Sequence, residues 1–136
     1  MSFSAKEKLH KAASKPKYKI DLSKETNVSE ESLADCNDKI ISKIKIQGDK
    51  VTSFFDGEGC SISISSAEII SETIKDKTIE EAKKILEQFI DFIEEKTNET
   101  EENLKLFGLL RLHKSRKKCA LLSAKTILKN IEENYD

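Results

Sequence analysis

One change of hydrophobic period constrains this chain more than any other feature. From Ile40, "IISKIKIQ" alternates apolar and polar positions, so Ile40, Ile44 and Ile46 face one way along a half-buried strand. After Gly48-Asp49, "VTSFFDG" keeps the same period, and the pair predicts an antiparallel hairpin. Beyond residue 78 the period becomes helical. Ile79, Ala82, Ile85, Leu86, Phe89, Ile90 and Ile93 make one apolar stripe, and Leu121, Ala124, Ile127, Leu128 and Ile131 make another. A strand block followed by a helix block predicts an α+β chain.

The remaining elements are less sharply marked. "SAKEKLHKAAS" (4–14) reads as a short exposed helix, and "KPKYKIDLSKETNVSEES" as a linker or ordered coil. "CSISI" (60–64) alternates and is expected as a third strand, after which Ser65 or Ser66 caps a helix with Glu68 near N3. Thr78 caps the next helix through "TIEE", and "NLKLFGLLRL" gives a short helical or extended piece. The expected fold is a small three-stranded antiparallel sheet with helices packed on one face. Its 136 residues suit one domain, with a helix and linker over 1–32 and the core over 33–132.

Charge bears on partners. With 24 basic and 25 acidic residues the net charge is -1, which supplies no general attraction to nucleic acid or anionic membrane. The charge is nonetheless uneven: six lysines stand against Glu7 in residues 1–20, five glutamates against Lys96 in 94–102, and "RLHKSRKK" (111–118) is basic at five positions. That last run reads as a solvated surface, or as a docking patch favouring an anion. No secretory h-region and no membrane-length apolar run is visible, so a cytoplasmic location is expected.

A reducing compartment disfavours disulfides, which leaves Cys36, Cys60 and Cys119 as buried hydrophobes, reactive thiols or metal ligands. Each falls at a transition between expected elements. Cys36 precedes the first strand, Cys60 follows Gly57-Glu58-Gly59, and Cys119 opens the last helix behind the basic run. Such positions suit ligands converging from separate parts of a fold. Asp38 lies two residues beyond Cys36, and three thiolates with one carboxylate make a closed tetrahedral set for zinc. His10 and His113 read as surface residues outside that set.

The neighbours of these cysteines carry a resemblance. Cys36-Asn37-Asp38, Gly57-Glu58-Gly59-Cys60-Ser61-Ile62-Ser63, Lys117-Lys118-Cys119-Ala120 and "IKDKTIEEA" (74–82) occur in order. They resemble the IscU/NifU family of iron–sulfur assembly proteins over roughly residues 33–132, and more closely its SufU branch. The family pattern has glycine where this chain has Asn37, Asn-Pro where it has Leu33-Ala34, and in IscU a histidine where it has Lys118. The resemblance implies a zinc site on Cys36, Asp38, Cys60 and Cys119, and sulfur received from a cysteine desulfurase that depends on pyridoxal phosphate. Cys36 is then the expected acceptor. Lys118 supplies local positive charge, and Arg116 a contact to the desulfurase. The alternatives are a scaffold assembling a [2Fe–2S] cluster on the same residues and a binding module with structural zinc. Near-neutral charge, without stacking aromatics beside the basic run, argues against nucleic acid as the module's partner.

Overall fold

The computed structural model describes residues 4–34 and 37–135. Its elements run α1 (Ala5–Ser14), β1 (Ser29–Leu33), β2 (Asp38–Gln47), β3 (Lys50–Glu58), α2 (Ser61–Ile74), α3 (Ile79–Ile93), a 3-10 helix (Glu102–Leu110) and α4 (Lys114–Tyr135). The sheet has three antiparallel strands in the order β1-β2-β3.

The expected hairpin is β2 and β3. Gln47 pairs with Lys50 across Gly48-Asp49, where Gly48 takes φ +65°, and Ile40 pairs with Gly57 at the far end. The alternating pattern buries Asp38, Ile40, Ser42 and Ile44 on one face, together with Val51, Ser53 and Phe55. The helices cover that face. Ile70, Ile74, Leu86, Phe89, Ile93, Phe107 and Ile127 complete the core, with Phe89 and Phe107 edge to face at 5.6 Å.

The third strand is not "CSISI" but the stretch "SEESL", which but for Leu33 lay inside the expected coil. Its exposed serine and glutamates hide the strand, since one edge strand needs few buried side chains. "CSISI" instead opens α2, with Cys60 as N-cap. Alternating serine and isoleucine fits a strand. It also fits a helix enclosed on several sides, provided each small hydroxyl finds a partner. Here the partners exist. Ser65 and Ser66 donate to the carbonyls of Ile62 and Ser63, and Ser71 to the Ser53 hydroxyl.

Glu68 therefore sits mid-helix rather than in a capping box. Its buried carboxylate accepts the backbone N–H of Lys17 and of Tyr18, both at 2.9 Å. That fastens the N-terminal segment along the outer edge of β3, where Ile20 donates to Phe55 O and Phe55 to Tyr18 O. Thr78 does cap α3 as expected, in a capping box with Glu81. Among the described residues no helix is long and apolar enough to cross a membrane.

Candidate metal centre

Three chain segments meet where the sheet ends. Asp38 is the first residue of β2 and only 3% exposed. Asn37, just before it, has φ +56°, a left-handed conformation that asparagine tolerates better than most residues. Cys60 caps α2 and is exposed, with its sulfur at the electropositive end of that helix. Cys119 is buried in the second turn of α4, because that helix begins at Lys114 and takes in most of the basic run.

The backbone near these residues leaves little choice of side chain. Gly57 has φ +114°, and a Cβ there would lie 2.0 Å from Lys39 O, so only glycine lets β3 end against β2. A Cβ on Gly59 would stand 2.9 Å from Ser63 Cβ and 3.3 Å from Asp38 Cγ. Its absence makes room for the carboxylate.

Hydrogen bonds then fix the orientation. Asp38 Oδ1 accepts from Cys60 N at 3.2 Å, and Oδ2 accepts from Ser63 Oγ at 2.6 Å. Ser123 Oγ donates to Ser63 O at 2.7 Å. Ser123 lies one turn beyond Cys119 on α4, so this bond holds Cys119 against the first turn of α2. One carboxylate oxygen and the two sulfurs consequently lie within 4.8 Å of one another.

Electrostatics distinguish the acid from the buried thiol. Burial alone would raise the Asp38 carboxyl, but hydrogen bonds from Ser63, Cys60 and Cys119 outweigh it and hold it below the usual carboxylate range. Burial, reinforced by Cys60 and Asp38, pushes the Cys119 thiol up to about 12. Without a cation the cluster is thus a carboxylate beside a protonated thiol. A bound metal ion reverses that preference, because its charge favours the thiolate. Donors around a tetrahedral ion with ~2.3 Å bonds to sulfur lie roughly 3.5–4 Å apart. The residues present fit a metal, and Asp38, Cys60 and Cys119 form a metal-binding triad.

Cys36, the fourth expected ligand, lies outside the described residues. Arg116 and Lys118 are both exposed on the first turns of α4 rather than in a loop. His113 precedes that helix and is exposed, and His10 is exposed on α1. Neither belongs to the triad. Ser63 was not anticipated. Its signal is its place three residues beyond Cys60, the N-cap to N3 spacing, which the strand reading of "CSISI" concealed.

The chain is similar to known proteins. The NifU-like N-terminal domain family model matches residues 5–135. The zinc-dependent sulfurtransferase SufU of Bacillus subtilis is 36% identical over 102 residues, covering 71% of this chain and 68% of that protein. The crystal structure of FiSufU from Fervidobacterium islandicum AW-1, a candidate iron–sulfur cluster assembly scaffold for the SUF system, superposes with a TM-score of 0.73 at 28% identity, covering 88% of this chain and 90% of that one. The N-terminal part of a NifU-like protein from Brucella abortus gives 0.78 at 17% identity, covering 93% of each chain, which speaks to the fold alone.

Proposed function

The chain belongs to the NifU-like N-terminal domain family, and from that premise we propose that it works in iron–sulfur cluster assembly as a zinc-bound sulfur carrier. The convergence of Asp38, Cys60 and Cys119 within 4.8 Å carries the reading, in a chain 36% identical to a zinc-dependent sulfurtransferase. Cys36 completes the ligand set. Zinc, when bound, supplies the positive charge that keeps coordinating thiols as thiolates at neutral pH.

The partner is a cysteine desulfurase presenting a persulfide. The Cys36 thiolate attacks the outer sulfur of that persulfide. A bond forms between Cys36 Sγ and the transferred sulfur, and the bond from that sulfur to the desulfurase cysteine breaks. The desulfurase thiolate leaves with the electron pair, so no external oxidant or reductant is needed. Asp38, Cys60 and Cys119 are the residues that would hold the metal while Cys36 carries sulfur. Arg116 and Lys118 place positive charge where anionic sulfur arrives and where the desulfurase docks.

A scaffold building a [2Fe–2S] cluster on the same residues is the second reading, favoured by the 28% identity to FiSufU and weakened by Lys118 in the place of a histidine. Protein purified anaerobically without chelator separates the two. Colourless protein with one zinc per chain, gaining a sulfur on Cys36 after incubation with desulfurase and cysteine, supports the carrier. A brown sample containing iron and sulfide, with no sulfur on Cys36, overturns it.

A further inference from the structure

Two thiols stand side by side in the triad. Cys60 and Cys119 are both free, and their Sγ atoms lie at most 4.8 Å apart. They come from the N-cap of α2 and the second turn of α4, helices tied together by the 2.7 Å bond from Ser123 Oγ to Ser63 O. Their polar contacts are long. Cys60 Sγ lies 3.7 Å from Ser63 Oγ, and Cys119 Sγ donates to Ser115 O at 3.7 Å. The pair is also asymmetric: Cys60 is exposed, whereas Cys119 is only 6% exposed.

That asymmetry separates two roles. A small oxidant in solution meets the exposed sulfur of Cys60, while burial shields Cys119. A sulfenic acid formed on Cys60 has a second thiol beside it, so closure to a disulfide competes with further oxidation. A disulfide draws its sulfurs in to about 2.05 Å, a short approach from their present separation. Closure consumes two of the three donors and leaves Asp38 alone. Disulfide and bound metal therefore exclude each other.

We propose that Cys60 and Cys119 form a reversible redox switch, in which hydrogen peroxide joins them in a disulfide that displaces the metal and a thiol reductant restores the site. Cys60 Sγ attacks one peroxide oxygen. An S–O bond forms, the O–O bond breaks, and the displaced hydroxide leaves as water. Cys119 Sγ then attacks the sulfenic sulfur. The S–S bond forms, the S–O bond breaks, and the second hydroxide leaves as water. The protons come from the thiols in metal-free protein and from solvent when the sulfurs are metal-bound. Two sulfurs lose two electrons, and the peroxide gains them. Resting on the sulfur-carrier reading, the switch halts sulfur transfer under peroxide and releases it again on reduction.

The test treats the zinc-loaded full chain with a small molar excess of hydrogen peroxide, alkylates the remaining thiols and maps tryptic peptides by mass spectrometry. Trypsin places Cys36, Cys60 and Cys119 on separate peptides, 25–39, 51–75 and 119–125, so a link is assigned directly. The expected product is a monomer joining 51–75 to 119–125. About one zinc per link should pass to a chromophoric chelator and be bound again after dithiothreitol. Cys36→Ser should give the same link. A link from Cys36 to either other cysteine, a link between chains, or sulfinic acid on Cys60 beside a free Cys119 thiol overturns the switch. So does a Cys60–Cys119 link in protein that keeps its zinc. The carrier reading is judged separately, by sulfur gained on Cys36 from a desulfurase and cysteine. Protein that forms the link and releases zinc, yet gains no sulfur before oxidation, upholds the switch and overturns the carrier.

Discussion

Ser63 shows how much a single hydroxyl does at this site. It donates to Asp38 Oδ2 at 2.6 Å, lies 3.7 Å from Cys60 Sγ, and offers its carbonyl to Ser123. Ser63→Ala keeps the carbonyl bond but releases the carboxylate, and loss of such an outer partner typically costs about 10- to 100-fold in metal affinity. Competition against a chromophoric zinc chelator should read that loss in a protein that still folds. Cys119 gives a pH prediction. In metal-free protein its thiol is raised from 9.0 to about 12, chiefly by burial. The fold thus prefers the neutral thiol. That stabilisation is complete below pH 9 and is lost as pH rises from there towards 12. Chelator-treated parent should therefore lose more melting temperature between pH 8 and pH 10 than Cys119→Ala does, and equal losses would refute it. At this scale the sequence was readable because Asp38, Cys60 and Cys119 sit in short motifs with chemistry-bearing neighbours. Ser63 was not, since serine carries no functional signal until its backbone conformation is known.

Elements were legible where period and capping agreed. The β2–β3 hairpin and α3, with its Thr78 cap, match their sequence signals closely. The failures share a physical cause: partners distant in sequence override the local pattern. Ile62 to Ser66 become helical because neighbouring elements enclose them, and Lys114 to Lys118 join α4 although that helix was expected to open only at Cys119. "SEESL" becomes a strand because β2 has a free edge there and α4 supports it. Asn130 is one of those supports. It is fully buried, accepts Ile44 N at 2.8 Å where β1 no longer pairs with β2, and donates to Asn27 O and Ser29 Oγ. Asn130→Ala strands a buried N–H of the central strand and should cost about 1–3 kcal/mol. Chemical denaturation should show a lower midpoint with an unchanged slope. A loss below the range of ordinary surface substitutions would mean water replaces the amide.

The whole molecule ties its metal site to its architecture. Asp38 begins the central strand, Cys60 begins the helix that follows the sheet, and Cys119 lies in the last helix. A metal held by all three closes two long loops, Asp38 to Cys60 and Cys60 to Cys119, and binds the folded chain far better than the unfolded one. Free zinc at a thousandfold excess over Kd then stabilises by about 4.1 kcal/mol. At roughly 3–5 °C per kcal/mol for a chain of this size, removing it should lower the melting temperature by about 12–20 °C. The loss should also be local. Cys60 is the N-cap of α2 and Cys119 lies in the second turn of α4, so amides near those helix starts and at the start of β2 should exchange faster in metal-free protein. Amides of α3, which contributes no donor to the triad and is capped by its own Thr78–Glu81 box, should change only as much as global stability does. Calorimetry with and without chelator, beside hydrogen exchange on both samples, separates the outcomes. Identical melting curves after verified metal loss would show that the fold does not depend on the site. A uniform rise in exchange across α3 as well as α2 and α4 would show that the metal stabilises the domain as one unit rather than clamping the end of the sheet.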